Sequence, residues 1–267
     1  MKSLFLALLL AAGILLPAAE LPPKEKFHLF LLAGQSNMAG RGAIAPEDKV
    51  PHPRVLMLDH SGNWVPAVDP VHFDKPFAGV GPGRRFAILL AESDPSITVG
   101  LIPAACGGSP LSTWTPGAFW QQTESHPYDD ALARTRKAME SGTLKGILWH
   151  QGEADCSNSL SRTYHKHLTE LFRRFRSEFG NPELPILVGQ LSQFPGEKWN
   201  DSKKRVDAAQ RKVVEEMAPA AFVTSEGLTS NPDRVHFDAK SQREFGRRYF
   251  EAYRKLLRPS QRTTGSG

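Results

Sequence analysis

The sequence predicts an α/β fold, a three-layer α/β/α sandwich in which helices cover both faces of a mostly parallel sheet. Two observations support this fold class. Strand-like apolar runs alternate with segments whose apolar residues recur every three or four positions, as on one face of a helix. Most of these runs are continuously apolar, which is typical of strands that are buried on both faces of a parallel sheet.

The predicted elements follow one another in strand-then-helix order. The predicted strands span residues 27–33, 97–102, 144–149, 185–191 and 221–224. Helical stripes occupy residues 160–175, 206–217 and 245–256, with weaker helical patterns over residues 83–92 and 129–140. The chain has 267 residues, of which 40% are hydrophobic and 23% charged, and it shows no internal repeat. We therefore expect one domain with one substantial core.

Residues 1–19 have the pattern of a secretory signal peptide. Lys2 precedes an apolar run over residues 4–16, and two small residues follow at Ala18 and Ala19. An uncleaved anchor is the alternative, but the run is short for a membrane span, which needs roughly 20 apolar residues. We expect a secreted or periplasmic protein with no stable membrane association after cleavage. The predicted segments are a signal peptide (1–19), a single folded domain (20–262) and a disordered tail (263–267).

The positive charge of the chain does not indicate a nucleic-acid partner. The formal net charge is +5, from 33 Lys and Arg against 28 Asp and Glu. A nucleic-acid site would need these cations in one patch with interleaved aromatic residues. They are spread along the chain instead, and their densest run, residues 243–262, has the spacing of the solvent-facing side of a final helix.

Cys106 and Cys156 are the two cysteines of the chain. Export would permit a disulfide between them. Each follows a predicted strand, so the two side chains can lie close together. Two buried free thiols are equally compatible with the sequence.

Polar and glycine-rich segments follow the predicted strands at the point where each strand ends. Open parallel sheets bind ligands beyond the carboxyl ends of their strands, so these segments should meet at one edge of the sheet. The segments are residues 34–38, 106–109, 150–153 and 233–237. The sequence therefore predicts a functional site built from four distant parts of the chain.

Ser36 and His236 are candidates for a nucleophile and its general base. A serine hydroxyl attacks a carbonyl group only when a base removes its proton. Asp233 lies three residues before His236, close enough in a tight turn to orient the imidazole. The alternatives are that Ser36 caps a helix and that Asp233 caps a turn. Asp238 is a second carboxylate close to His236.

An acyl-transfer site also needs hydrogen-bond donors for the oxyanion that forms on the substrate. Backbone N–H groups of Ser36 and of the pair Gly107–Gly108 are candidates, because glycine lets a substrate approach the backbone closely. The side-chain amide of Gln151 is a further candidate. Glu153 has three possible roles: a second partner for the histidine, a contact to substrate, or a structural group that holds the Ser36 loop.

Together these segments resemble the SGNH-type esterases. The resemblance is carried by GQSNMAGRG near the start of the predicted domain, then GGS, WHQGEAD and DRVHFD. More narrowly, they are similar to the sialate O-acetylesterase-like group, which includes acetylxylan esterases of carbohydrate esterase family 6. The match runs in the same order over nearly the whole chain after residue 19.

The resemblance implies a flavodoxin-like sheet and removal of O-acetyl groups from carbohydrates without a metal or other cofactor. It implies Ser36 as nucleophile, His236 as base and Asp233 as the partner of the base. It also implies an oxyanion hole formed by Ser36, Gly108 and Gln151. The expected partner is thus an acetylated carbohydrate, such as acetylxylan or an O-acetyl sialic acid.

The sequence departs from the family pattern at one position and leaves another unresolved. Gln151 stands where other SGNH enzymes use asparagine in the oxyanion hole. Some relatives use the glutamate of the QGE segment as the acid member, so the choice between Asp233 and Glu153 stays open. The alternative functions are a general short-chain esterase or acyltransferase, and a carbohydrate-binding domain without turnover.

A metal site is not predicted from the histidines. No HExxH motif is present, and His165 and His167 are two positions apart on a predicted helix, so their side chains point apart. His150 and Glu153 alone do not complete a ligand set.

Aromatic residues after the GGS segment are candidate platforms for a sugar ring. They are Trp114, Phe119, Trp120 and Tyr128. Aromatic residues in loops also often complete the edge of a core, so we expect only one of them to face a substrate. Arg41 is expected either to contact a carboxylate or hydroxyl of a substrate or to cap backbone carbonyl groups.

Overall fold

A computed structural model of the protein describes residues 21–258. The predicted signal peptide (1–19) and tail (263–267) lie outside these residues, so both stay predictions, as do the bounds of the domain at 20 and 262. None of the helices within residues 21–258 combines the length and the apolar character that crossing a membrane requires.

A seven-stranded sheet forms the middle layer. Its strands are β1 (Phe27–Gly34), β2 (Val55–Leu58), β3 (Trp64–Pro66), β4 (Thr98–Pro103), β5 (Thr143–His150), β6 (Ile186–Gly189) and β7 (Ala220–Val223). The strand order is β3-β2-β4-β1-β5-β6-β7, and every pair is parallel except the β2–β3 hairpin. Without that hairpin, the remaining order has the 2-1-3-4-5 arrangement of a flavodoxin-like sheet. The predicted fold class is confirmed.

Helices cover both faces of this sheet. They are α1 (Ser36–Ala39), α2 (Pro82–Ser93), α3 (Pro127–Met139), α4 (Leu160–Glu178), α5 (Asp201–Glu216) and α6 (Ala239–Leu257). Helices α2 and α6 pack against each other on one face, while α3, α4 and α5 share the core of the opposite face. The longer helices lie where the sequence predicts them.

The central strand β1 shows why its apolar run is unbroken. Leu29 and Leu31 point into the core beneath α3 and α4, whereas Phe30 and Leu32 point into the core beneath α2 and α6. All four side chains are completely buried. Each contributes about 1.5–3 kcal/mol of hydrophobic stabilisation, so a polar residue on either face would be unfavourable.

The strand order reverses at β1, because β4 lies on one side of it and β5, the next strand in the chain, lies on the other. Ligand crevices of open α/β sheets form at such a point. Two backbone hydrogen bonds hold the ends of these strands together: Gln35 N–H donates to the carbonyl of His150 at 2.8 Å, and Cys106 N–H donates to that of Gly34 at 2.9 Å. The loops after all three strands are thereby neighbours.

Candidate active site

Ser36 is the first residue of the short helix α1, directly after β1. Only 7% of the residue is exposed to solvent. Its Oγ lies 3.0 Å from Nε2 of His236, although the two residues are 200 positions apart in the chain. The structure therefore brings the predicted nucleophile and the predicted base into hydrogen-bond contact.

Asp233 lies on the other side of the imidazole. Its Oδ2 is 2.7 Å from His236 Nδ1, and its Oδ1 accepts the backbone N–H groups of Val235 and His236 at 2.9 and 3.0 Å. Burial alone would raise the pKa of Asp233, but these hydrogen bonds outweigh burial and hold the pKa below its ordinary value. An ionised carboxylate only accepts, so Nδ1 carries the proton and Nε2 accepts the hydroxyl of Ser36.

Asn37 fixes the distance between the two loops that carry Ser36 and His236. Its Oδ1 accepts the backbone N–H of Phe237 at 3.1 Å, and its Nδ2 donates to the carbonyl of Val235 at 3.3 Å. The residue is completely buried, so these bonds are shielded from water. Asn37, which follows Ser36 in the chain, thus binds the residues on either side of His236 and keeps the imidazole close to Ser36.

Two backbone N–H groups are available as oxyanion donors. Among residues 21–258, no protein acceptor takes the N–H of Ser36 or the N–H of Gly108. Gly108 has a φ of +73°, a left-handed conformation that glycine adopts without strain. The N–H of Gly107, by contrast, donates to Asp74 Oδ2 at 2.9 Å and is therefore occupied.

A buried ion pair supports the loop that contains Gly107. Arg41 Nη2 lies 2.7 Å from Asp74 Oδ2, and both side chains are less than a tenth exposed, at 6% and 3%. Arg41 Nη1 also donates to the carbonyl of Gly40 at 2.7 Å. Arg41 thus caps a backbone carbonyl, which is one of its two expected roles. Its other contact is with Asp74, a carboxylate of the protein itself.

Comparison with known protein families shows to which family the chain belongs. The family model described as carbohydrate esterase, sialic acid-specific acetylesterase, matches residues 26–255. The chain belongs to this carbohydrate esterase family. It is therefore a serine esterase, a carboxylic ester hydrolase of the acetylesterase class.

Individual relatives of this esterase are similar over most of their length. A probable carbohydrate esterase from Arabidopsis thaliana is 28% identical over 257 residues, covering 88% of this chain and 92% of that protein. The crystal structure of the Arabidopsis protein has a TM-score of 0.76 and covers 88% of this chain and 99% of that one. At 18% and 19% identity, two further structures show similarity of fold alone. NanS has a TM-score of 0.69, with 88% of this chain and 99% of that chain covered. A carbohydrate acetylesterase from Xanthomonas citri has a TM-score of 0.65, with 85% and 56% covered.

The expected role of Gln151 in the esterase needs correction. The residue is completely buried, and its Nε2 donates to the carbonyl of Ser109 at 3.1 Å and to Asp155 Oδ2 at 2.5 Å. Its Oε1 accepts the hydroxyl of Tyr164 at 2.9 Å. Both amide hydrogens are thus used within the protein, and Gln151 ties together the loops after β4 and β5 instead of facing an oxyanion.

Glu153 contacts the Ser36 loop and not the imidazole. Its Oε1 accepts Asn37 Nδ2 at 2.7 Å and lies 3.8 Å from Nδ1 of His150. No hydrogen bond between Glu153 and His236 occurs in the part of the chain that the structure describes. Of the three roles expected for Glu153, the contacts favour the structural one, because the carboxylate orients the amide of Asn37.

The aromatic residues after the GGS segment separate into two groups. Trp114 and Tyr128 are almost completely buried, at 0% and 1% exposure, so neither can stack on a sugar. Phe119 is 49% exposed but packs edge-on against His126. Trp120 is partly buried, and its Nε1 donates to the carbonyl of Gly107 at 2.9 Å. Of these four aromatic residues, Trp120 is therefore the one that lies beside Gly107 and Gly108.

Both cysteines carry free thiols. Cys106 Sγ lies 3.6 Å from Ser125 Oγ, and Cys156 Sγ donates to the carbonyl of Gly152 at 3.2 Å. Burial raises the pKa of Cys106 to about 11 and that of Cys156 to about 12. Both thiols stay protonated at neutral pH, so neither competes with Ser36 as a nucleophile.

The histidines that raised the question of a metal have other contacts. His165 Nε2 lies 2.8 Å from Glu216 Oε2 on α5, and His150 Nε2 lies 2.9 Å from the carbonyl of Gln190. Within residues 21–258, no group of three or more histidine, cysteine, aspartate or glutamate side chains is placed to hold a metal ion. Hydrolysis without a metal stays a prediction.

Two supporting residues were not identified from the sequence. Asn37 lies in the GQSNM segment, and its position beside the candidate nucleophile was a usable signal. Asp74 lies 33 positions before Gly107, in a segment without a recognisable motif. Nothing in the sequence indicated that its carboxylate reaches the loop after β4.

Proposed function

We propose that this chain is an exported carbohydrate O-acetylesterase that hydrolyses acetyl esters on sugars through an acyl-enzyme on Ser36. The observation that carries the proposal is the continuous chain of contacts from Asp233 through His236 to the Ser36 hydroxyl, at 2.7 and 3.0 Å. Membership of a family of carbohydrate acetylesterases supports the acetylated sugar as substrate.

In the acylation step, Ser36 Oγ attacks the acetyl carbonyl carbon while Nε2 of His236 takes the hydroxyl proton. The oxyanion that forms accepts hydrogen bonds from the free N–H groups of Ser36 and Gly108. Asp233 stabilises the imidazolium, because its lowered pKa keeps the carboxylate ionised at neutral pH. The carbon–oxygen bond to the sugar then breaks, and the sugar oxygen takes the proton from His236.

In the deacylation step, a water molecule attacks the acetyl group on Ser36 and gives a proton to His236. The bond between the acetyl carbon and Oγ breaks, acetate leaves, and Ser36 regains its proton from the imidazolium. The same donors, Ser36 and Gly108, stabilise the second oxyanion.

Acetate release tests the proposed reaction directly. We expect the purified protein to release acetate from acetylated xylan or from an O-acetyl sialic acid, and the ratio of the two kcat/KM values ranks the substrates. The same glycans after chemical deacetylation serve as controls, because they lack the ester but keep the sugar. Binding to the acetylated glycans without any release of acetate would contradict the proposed function.

Export is the second part of the proposal and has a separate test. Cleavage after Ala19 would give a mature chain that begins at Glu20. Intact mass measurement of the protein recovered from the periplasm or medium of a secreting host should show the loss of residues 1–19. A mass that includes these residues, found in the cytoplasmic fraction, would contradict export.

A further inference from the structure

A short hairpin over residues 120–125 lies against Gly108, one of the two candidate oxyanion donors. Trp120 N–H donates to the carbonyl of Ser125 at 2.8 Å, and Ser125 N–H donates back to that of Trp120 at 3.3 Å. Lys75 Nζ donates to the main-chain carbonyl of Gln122 at the tip. The 120–125 hairpin is thus closed at its base and held at its tip.

Two side chains of the 120–125 hairpin cover Gly108. A Cβ atom built on Gly108 would lie 2.7 Å from Oε1 of Gln122 and 3.6 Å from Cζ2 of Trp120. The indole is also fixed by its hydrogen bond to the carbonyl of Gly107. Gln122 is exposed, and no protein atom of the described residues takes a hydrogen bond from its side chain. The Cα atom of Gly108 is therefore covered by one amide and one indole ring.

The 120–125 hairpin and His236 each precede a helix, and these two helices cover opposite faces of the sheet. The hairpin runs into α3, whose buried residues pack in the same core as Leu29 and Leu31. His236 precedes α6, whose buried residues pack with Phe30 and Leu32 on the other face.

This arrangement indicates on which side of Ser36 the sugar and the acyl group of the ester lie. The departing sugar oxygen takes its proton from His236 Nε2, so the sugar must lie on the side of the imidazole. At a tetrahedral carbon held by Ser36 Oγ and by the oxyanion donors, the acyl substituent then points away from the imidazole. It lies instead on the side of the sheet that carries α3 and the 120–125 hairpin.

We infer that Trp120 and Gln122 form the wall of the acyl site and restrict the esterase to acetyl groups. The inference rests on the proposed function. An acetyl methyl group needs little room, whereas each further methylene must displace either the amide of Gln122 or the indole that is bonded to Gly107. Discrimination by a fitted pocket is worth about 10- to 200-fold per methylene.

The test compares 4-nitrophenyl acetate, butyrate and hexanoate as substrates. The wild-type protein should prefer acetate, and Gln122→Ala should raise the butyrate-to-acetate ratio of kcat/KM by about tenfold. Trp120→Ala should raise the butyrate-to-acetate ratio of kcat/KM, and it should raise the hexanoate-to-acetate ratio as well. Phe119→Ala is the matched control, because Phe119 is the neighbouring aromatic residue and packs on His126 instead of Gly108.

The decisive measurement is the ratio of the kcat/KM values for two esters and not the rate with either one. Loss of the indole also frees the carbonyl of Gly107, and this lowers the rate with every ester alike. Gln122 is exposed, so its replacement leaves the fold intact even if the Trp120 variant is unstable. An unchanged ratio in Gln122→Ala and Trp120→Ala, or the same increase in Phe119→Ala, overturns the inference. If the wild-type protein hydrolyses none of the three esters and also releases no acetate from the acetylated glycans, the proposed function itself fails.

Discussion

Ser36→Ala is expected to lower kcat for acetate release by about 10⁴- to 10⁶-fold. The reason is that the variant loses the atom that forms the acyl-enzyme while keeping the imidazole and both backbone donors. The measurement is acetate release from the better glycan substrate, with 4-nitrophenyl acetate as a second ester. The free energy of unfolding should fall by no more than about 1.5 kcal/mol, because the change removes one hydroxyl group and its hydrogen bond to His236.

Ser112→Ala is the matched control, because this serine is exposed and lies outside the contacts of the site. It should retain wild-type kcat. A Ser36→Ala variant that keeps more than about a tenth of wild-type activity, while folded, would show that another group is the nucleophile.

Asp233→Asn is expected to lower kcat by about 10²- to 10⁴-fold. The asparagine keeps the shape of the side chain but no longer favours the Nδ1–H tautomer, and it cannot stabilise the imidazolium. The Asp233 side chain is 46% exposed, so water can replace part of its effect and the loss should lie toward the lower end of this range. The measurement is kcat and KM with 4-nitrophenyl acetate, and we expect the effect in kcat.

Glu153→Gln is the comparison that distinguishes the two candidate acids. Glutamine can still accept the hydrogen bond from Asn37, so the loss in kcat should be about tenfold or less. Asp238→Asn serves as a control, because Asp238 caps α6 by accepting Ser241 N–H and asparagine caps a helix equally well. If Glu153→Gln lowers kcat more than Asp233→Asn, then Glu153 is the acid member.

The sequence was sufficient to predict five of the seven strands and the three side chains that meet at the edge of the sheet. Strands buried on both faces leave an unbroken apolar run, as in β1, and this signal does not depend on knowing the partner strands. The spacing of Asp233 and His236 is local, so their contact could be expected from a tight turn alone. The contact of His236 with Ser36 followed from the rule that functional loops gather at the carboxyl ends of parallel strands.

The sequence was insufficient where a result depends on the direction of one side chain or on a short edge element. Gln151 is a donor by its chemistry, but Asp155 and Tyr164 decide that it faces inward. Strands β2 and β3 have four and three residues and lie at the edge of the sheet, too short for a periodic pattern. Such features depend on tertiary contacts that no local pattern in the sequence shows.

The separation of Ser36 from His236 along the chain has a consequence for biosynthesis. Protein synthesis runs from the amino terminus, so the nucleophile emerges from the ribosome long before the 200th residue after it, which carries the imidazole. In the proposed mechanism, a nascent chain, or one truncated before residue 236, lacks the general base. We therefore expect efficient turnover only from chains that have been synthesised beyond residue 236.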